Sequence, residues 1–211
     1  MKIIVYVEGR SDKDAMERLL SPLIQLKKES GTTIEFFETP DGDRKKSLLL
    51  KVPEKAVRIL QNNLDAIVVA MPDLYPPDKG FPHRTAQELC DEIMKQFAQA
   101  IQRDSADSRL IERFHAFCFK HDLEALILAA HEQLAVRLGV SPLIPNWIVP
   151  VEDQNHNHPP KHIVAGLFQS HNEKYVETID APAILGKADY KTIAERCPQQ
   201  FKPFVEFLQG N

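Results

Sequence analysis

Short apolar runs alternate along the chain with longer stretches whose apolar residues recur at helical spacing. Ile3, Ile4, Val5, Tyr6 and Val7 form a β-branched run without polar alternation, the pattern of a strand covered on both faces. Glu8-Gly9 ends that run. Ser11 then opens the spacing Ser-x-x-Asp, which predicts a helix start, and Met16, Leu19, Leu20, Leu23 and Ile24 follow at helical intervals. "TIEFFET" predicts a second strand, and "PDGDRKKS" after it an exposed basic turn. "PEKAVRILQNN" has proline at a helix start. Ile67, Val68, Val69, Ala70 and Met71 run without alternation into Asp73, where prolines forbid continuation of a sheet. "TAQELCDEIMKQFAQAI" places Leu89, Ile93, Phe97, Ala100 and Ile101 on one helical face. "RFHAFCF" predicts a fourth strand, and "DLEALILAAHEQLAVRLG" a helix closed by Gly139.

Strand and helix in strict alternation predict an α/β protein with a mainly parallel sheet flanked by helices. Beyond residue 140 the rhythm changes. "SPLIPNWIVPVEDQNHNHPPKH" is rich in proline and polar residues, and the segments after it read as short helices. The expected organisation is an α/β core over residues 1–140 and a C-terminal helical subdomain over 141–211, packed on that core.

The composition is that of a soluble globular protein, with 43% apolar and 27% charged residues. A net charge of −4 argues against broad polyanion binding while leaving room for a local basic patch. No secretory leader and no membrane-spanning apolar stretch is visible. Cys90, Cys118 and Cys197 are odd in number and lack CxxC spacing, which predicts reduced thiols in a cytoplasmic protein rather than a disulfide framework or a zinc site.

Glu8 and Asp73 each follow an apolar strand. If the strands are parallel, their tips point the same way and both carboxylates converge on one crevice. Converging carboxylates suit Mg²⁺ or Mn²⁺, which take hard oxygen ligands and keep waters for a phosphate substrate. Capping and solvation of a loop tip explain either acid taken singly. There is no GxGxxG after the first strand, no Walker A loop and no GxSxG elbow, so nucleotide hydrolysis by this chain alone is not expected.

"VYVEGRSD" and "VVAMPDLY" together resemble the Toprim pattern of topoisomerases, bacterial primases and OLD-type nucleases. The chain is more closely similar to a group of Toprim-like bacterial proteins of unknown function, often encoded beside ABC-type or AAA ATPases. The likeness extends through "DLYPPDKGFP", "KHDLEALIL", "PVEDQNHNHPPKHI" and "YVETIDAPAILGKADYKTIAERCPQQF". It implies that Glu8 is a general acid or base, or a metal ligand, and that Asp73 is the first aspartate of a D-x-D metal motif. The second position of that motif is Tyr75, a poor Mg²⁺ ligand. Asp78 would substitute if the Pro76-Pro77 turn folds back; otherwise it is an ordinary turn residue. The His-x-x-Glu of the resembled group falls on His121 and Glu124, implying metal binding or proton transfer. Helix capping by Asp122, with Glu124 favourable at the helix start, explains the same acids without chemistry.

Arg10, Arg44, Lys45, Lys46 and Lys161 are candidate phosphate or nucleic-acid contacts, each equally at home as a solvated surface cation. Glu152 and Asp153 read as solvated loop acids, and His156, His158 and His162 lie in a loop that fixes no ligand geometry. Two functions follow from the resemblance. One is a Mg²⁺- or Mn²⁺-dependent nuclease or phosphoryl-transfer protein, acting on nucleic acid and working with a partner ATPase. The other is a non-catalytic interaction module that regulates such an ATPase or is regulated by it.

Overall fold

A central strand must satisfy two ladders and bury both faces, and the chain supplies two segments able to do so. In the computed structural model, which describes residues 1–39, 44–75, 83–140, 142–155 and 157–211, the first is β1 (Lys2–Val7). It leads into α1 (Arg10–Leu19) and α2 (Ser21–Glu29). β2 (Thr33–Glu38) follows, then a short turn α3 (Arg44–Lys46) that continues through a wide π-type turn (Ser47–Lys51) into α4 (Val52–Asn62). The second is β3 (Ala66–Met71), buried along its whole length. After α5 (Ala86–Arg103) and a 3-10 turn (Ser108–Arg113), β4 (Phe114–Ala116) completes the sheet.

All pairings are parallel and the strand order is β2-β1-β3-β4. The two uninterrupted apolar runs are therefore the central strands. The edge strand β2 buries only Ile34 and Phe36. Ile4, Tyr6, Val68 and Ala70 share one cluster with Leu48, Val57, Leu60, Leu89, Ile93 and Phe97, so α4 and α5 cover that face. Phe97 stacks on Phe114 with ring centroids 4.2 Å apart. The expected α/β class and parallel, helix-flanked sheet are what is observed. The fourth strand is shorter than "RFHAFCF" predicts, because regular pairing stops at Ala116.

The helices after the sheet are α6 (Glu124–Ala129), α7 (His131–Leu138), α8 (Pro160–Ser170), α9 (Glu177–Leu185), α10 (Tyr190–Arg196) and α11 (Phe201–Gly210). The single helix expected over 122–139 is two, because Ala130 leaves helical geometry at φ −90°, ψ 40°. Gly139 ends the second at φ 68°, a left-handed cap that glycine adopts without strain.

By packing, the described chain divides into two units, Met1–Gly9 with Ile24–Phe119, and Arg10–Leu23 with Lys120–Asn211. Composition draws the line near residue 140; packing draws it at Phe119–Lys120. In the second unit α1 lies along α9, and α6 contacts α8 and α9. Gly186 closes the α1–α9 approach: a Cβ there would come 2.8 Å from the Pro182 carbonyl oxygen and 3.2 Å from Arg18 Cβ. Among the described residues no helix is long and apolar enough to cross a membrane.

Candidate functional site

The register of the first unit fixes where the acids fall. Val7 of β1 is level with Glu38 of β2 and Met71 of β3, so the next residues of all three strands emerge together at one edge. Thr39 continues β2: its N–H donates to the Val7 carbonyl at 3.1 Å. Its buried hydroxyl donates to the Glu8 carbonyl at 2.8 Å. Glu8 and Asp73 are joined directly, the Asp73 N–H donating to Glu8 Oε1 at 3.0 Å. Beyond β4, Phe119 pairs with Asp73 in an isolated parallel bridge. Asp73 is thus held from both sides, by the Glu8 carboxylate and by the continuation of the fourth strand. Both acids are half-buried. Glu8 and Asp73 therefore lie together at the ends of β1 and β3, in contact through the Glu8 carboxylate and the Asp73 backbone amide.

Around that edge, Lys45 Nζ donates to the Leu74 carbonyl at 3.3 Å, and the His83 ring lies 2.9 Å from the same oxygen. The Arg44 carbonyl accepts a 3.3 Å hydrogen bond from Thr39. Arg44 and Lys46 are exposed. Tyr75 packs, partly buried, against the apolar cluster of α4 and α5, which accounts for an aromatic residue at this position. Asp78 lies outside the described residues, as does His156. Among the described residues no group of three or more His, Cys, Asp or Glu side chains is arranged to hold a metal. Glu8 and Asp73 offer two hard oxygen donors, which fits an ion such as Mg²⁺ that keeps waters and takes phosphate oxygens, and does not fit an all-protein cage.

The second unit assembles a different group of acids. Glu124 opens α6 and is 0% exposed. Leu123 is the N-cap and no side chain caps the helix, so the capping role expected of Asp122 is not the one it has. Lys161 in α8 forms an ion pair with Glu177 of α9, and its ammonium lies 3.9 Å from Glu124 Oε1. Ser11, expected to begin a helix as its cap, lies inside α1 and donates its hydroxyl to Glu177. Neither Glu124 oxygen has a hydrogen-bond partner among the described residues, and neither do Asp122 Oδ1 and the Tyr175 hydroxyl.

Three carboxyls around one ammonium cannot all ionise cheaply out of water. Burial first, then the charge of Asp122, pushes the Glu124 carboxyl up to about 8. Burial likewise moves Asp122 up to about 6, against the pull of Lys161. Burial opposes the charge on Lys161, but Glu177, Glu124 and Asp122 outweigh it and raise its pKa. Burial and the nearby Glu124 charge raise that of Tyr175. Burial thus favours the protonated form of Glu124, the form able to give a proton away. His121, three residues before it, is buried. Arg10, in the same unit, is exposed and pairs with Asp14 at 3.4 Å.

Two residues have roles that sequence reading missed. Glu152 is not a solvated loop acid: it is buried and accepts from the backbone N–H groups of Gln199, Gln200 and Phe201 at 2.6, 2.7 and 3.3 Å, capping the start of α11. Arg113 donates to the carbonyls of Leu60, Asn63, Leu64 and Ala66, tying the end of α4 to the start of β3. Asp153 is exposed and bonds Lys120 and Gln199. His158 and His162 are exposed on a cleft of about 640 Å³ beside Trp147.

A family model described as a domain of unknown function, DUF4276, matches residues 7–209. Among solved structures the chain is similar to the C-terminal region of the Burkholderia pseudomallei OLD protein, at 15% identity and a TM-score of 0.49, with 99% of this chain and 96% of that one covered. No curated protein matches.

Proposed function

We propose that this chain, which belongs to the DUF4276 family of domains of unknown function, is a Mg²⁺- or Mn²⁺-dependent phosphoryl-transfer protein of the Toprim-like nuclease kind. One observation supports this most. The aligned tips of β1 and β3 put the Glu8 carboxylate in hydrogen-bond contact with the backbone of Asp73, so two acids 65 residues apart in sequence are held at one edge of the sheet. A divalent ion held there would supply charge neutralisation for a phosphodiester and an activated water. Asp73 would serve as its ligand, oriented through Phe119 and Glu8. Glu8 would complete the ligand set or take a proton, while Arg44, Lys45 and Lys46, which follow β2, would meet phosphate. Glu124, kept protonated by its burial, is a proton source within the second unit.

Calorimetry with Mn²⁺ tests the metal: binding should weaken in Asp73→Asn, and unchanged binding would move the site elsewhere. Cleavage of single- and double-stranded DNA and of structured RNA with Mn²⁺ or Mg²⁺ tests the chemistry. The chain should be assayed alone and with an ATPase encoded beside it. Glu8→Gln keeps the shape and the acceptor for the Asp73 amide but removes the charge, so it should abolish cleavage with the melting temperature little changed. Cleavage surviving in that variant would exclude this site.

Tyr75 favours a second reading. With an aromatic ring packed where a second acidic ligand would stand, the site is thin in carboxylates, as in an interaction module that has lost its chemistry. Wild type that binds a partner ATPase but cuts nothing, with either metal and with that partner present, would decide for the module.

A further inference from the structure

Asn146, Trp147 and Ile148 form one rim of the cleft of about 640 Å³ in the second unit, and residues of α8 form another wall. Gln154, itself buried, fixes that rim. Its Oε1 accepts from the Ile148 N–H at 3.2 Å and its Nε2 donates to the His158 carbonyl at 3.2 Å, so the rim is tied to the chain entering α8. Along α8 the cleft is lined by His162, Gly166 and Ser170, four residues apart on one stripe. Gly166 is the unexpected member. A helix interior disfavours glycine, its backbone is not in the left-handed region, and a Cβ built there meets nothing within 4 Å. Close packing does not account for this glycine; its effect is to leave the floor of the cleft open. Among the described residues no carboxylate, lysine or arginine lines the cleft, on a chain with 30 acidic residues and a net charge of −4. Nor, among those residues, does any hydrogen bond engage the side chains of Asn146, Trp147, His158 or His162.

We propose that this cleft takes one base of a single-stranded nucleic acid, stacked on Trp147. A half-buried indole held by a fixed rim is a stacking platform for any base. The volume is that of a site for one small molecule, which suits a single unstacked nucleotide and excludes a duplex, whose bases cover one another. The Asn146 amide and the imidazoles of His158 and His162 supply donors and acceptors for a base edge. With no carboxylate in the lining, nothing in the cleft repels the phosphates on either side of the base. With no lysine or arginine there, stacking rather than counterion release supplies the attraction, so binding at this site should fall little as salt rises. The nucleic-acid ligand is shared with the function proposed above; the metal and the Glu8–Asp73 site take no part.

Trp147 is the only tryptophan of the chain, so its emission reads this cleft alone. The test titrates the full chain, in EDTA, with a single-stranded oligodeoxyadenylate. The expected result is saturable quenching that an abasic strand of the same length and a duplex do not reproduce. Gly166→Leu should weaken binding about tenfold or more, because its side chain fills the floor a base would occupy. Its melting temperature should not fall, since leucine is the better helix former. Read by the anisotropy of a fluorescein-labelled strand, Trp147→Ala should weaken binding about five- to 150-fold and Trp147→Phe less. Equal quenching of wild type by the abasic strand overturns the proposal without appeal to any variant, and so does wild-type affinity in a folded Gly166→Leu. Free deoxyadenosine monophosphate that binds as tightly as the strand would overturn it too, leaving a mononucleotide site. EDTA keeps this test apart from the metal site: quenching by the strand in a chain that binds no Mn²⁺ would sink that site and leave the cleft standing. Metal-dependent cleavage by a chain whose Trp147 emission ignores the strand would do the reverse.

Discussion

Glu124→Gln probes the buried cluster most directly. The wild-type side chain is 0% exposed, its two oxygens lack hydrogen-bond partners among the described residues, and burial moves its carboxyl up to about 8. In the unfolded chain the same group titrates near its ordinary value. Between the two values the native state binds a proton that the unfolded state does not, so stability falls as pH rises, by at most about 1.4 kcal/mol per pH unit. This contribution is whole below about pH 4.5 and gone above about pH 8. From pH 5 to pH 7 an isolated group of this kind would cost about 2.5 kcal/mol. Asp122, raised to about 6 by the same burial, shares part of that titration, which brings the expected fall to about 1–2.5 kcal/mol. Urea unfolding of wild type and variant at pH 5, 6, 7 and 8 measures it. The amide of glutamine shifts the whole curve by an amount that is not diagnostic, and the difference in slope is. Wild type should lose about 1–2.5 kcal/mol more than Glu124→Gln between pH 5 and 7. Parallel curves, or a wild type that gains relative to the variant as pH rises, would refute the reasoning.

Two further substitutions test the residues assigned structural roles. Arg113→Met removes donors to four backbone carbonyls and should cost about 2–3 kcal/mol in chemical denaturation. Arg113→Lys should recover less than half, because an ammonium cannot reproduce the planar fork. Glu152→Ala strips the acceptor from three amides at the start of α11 and should cost about 2–3 kcal/mol, with faster hydrogen exchange at Gln200 and Phe201. Glu152→Gln, whose amide oxygen still accepts, should restore much of that protection.

The sheet was legible where sequence and packing ask the same thing of a residue. β1 and β3 are central strands, and a central strand in a parallel sheet has no face to leave polar, so continuous apolar runs identify both. Their tips are level because the register is, and that made Glu8 and Asp73 a pair that could be anticipated. β4 was overdrawn because Phe117 and Phe119 look like strand residues, and only their attachment to β3, residue by residue, shows where the regular ladder stops. The division into units was hidden for a different reason. Arg10 follows β1 by three residues, yet α1 packs with α9, far away in sequence. Periodicity reports which face of a helix is buried and is silent on what buries it. Arg113 gave no signal at all, since a guanidinium that binds carbonyls needs no partner of recognisable type.

The acids show why spacing alone sorts them poorly. Asp180 is as buried as Glu124, but it accepts from Arg137 at 2.8 Å and from the Val176 N–H at 2.7 Å, so its charge is matched and its role is to bind α7 to the start of α9. Glu152 is matched by three amides. Among the described residues Glu124 accepts no hydrogen bond; beside it are a lysine at 3.9 Å, itself claimed by Glu177, and the Asp122 and Tyr175 side chains. The three side chains carry the same functional group at similar depth, and they differ in how many donors the fold aims at it. A matched buried carboxylate is explained by the structure it holds together. An unmatched one costs the chain stability in every state where it is ionised, and the fold avoids that cost by keeping the proton. A carboxyl held protonated near neutral pH is chemically different from its neighbours, which is what makes Glu124, rather than the better-bonded Glu152 or Asp180, the acid of the second unit to test for proton transfer.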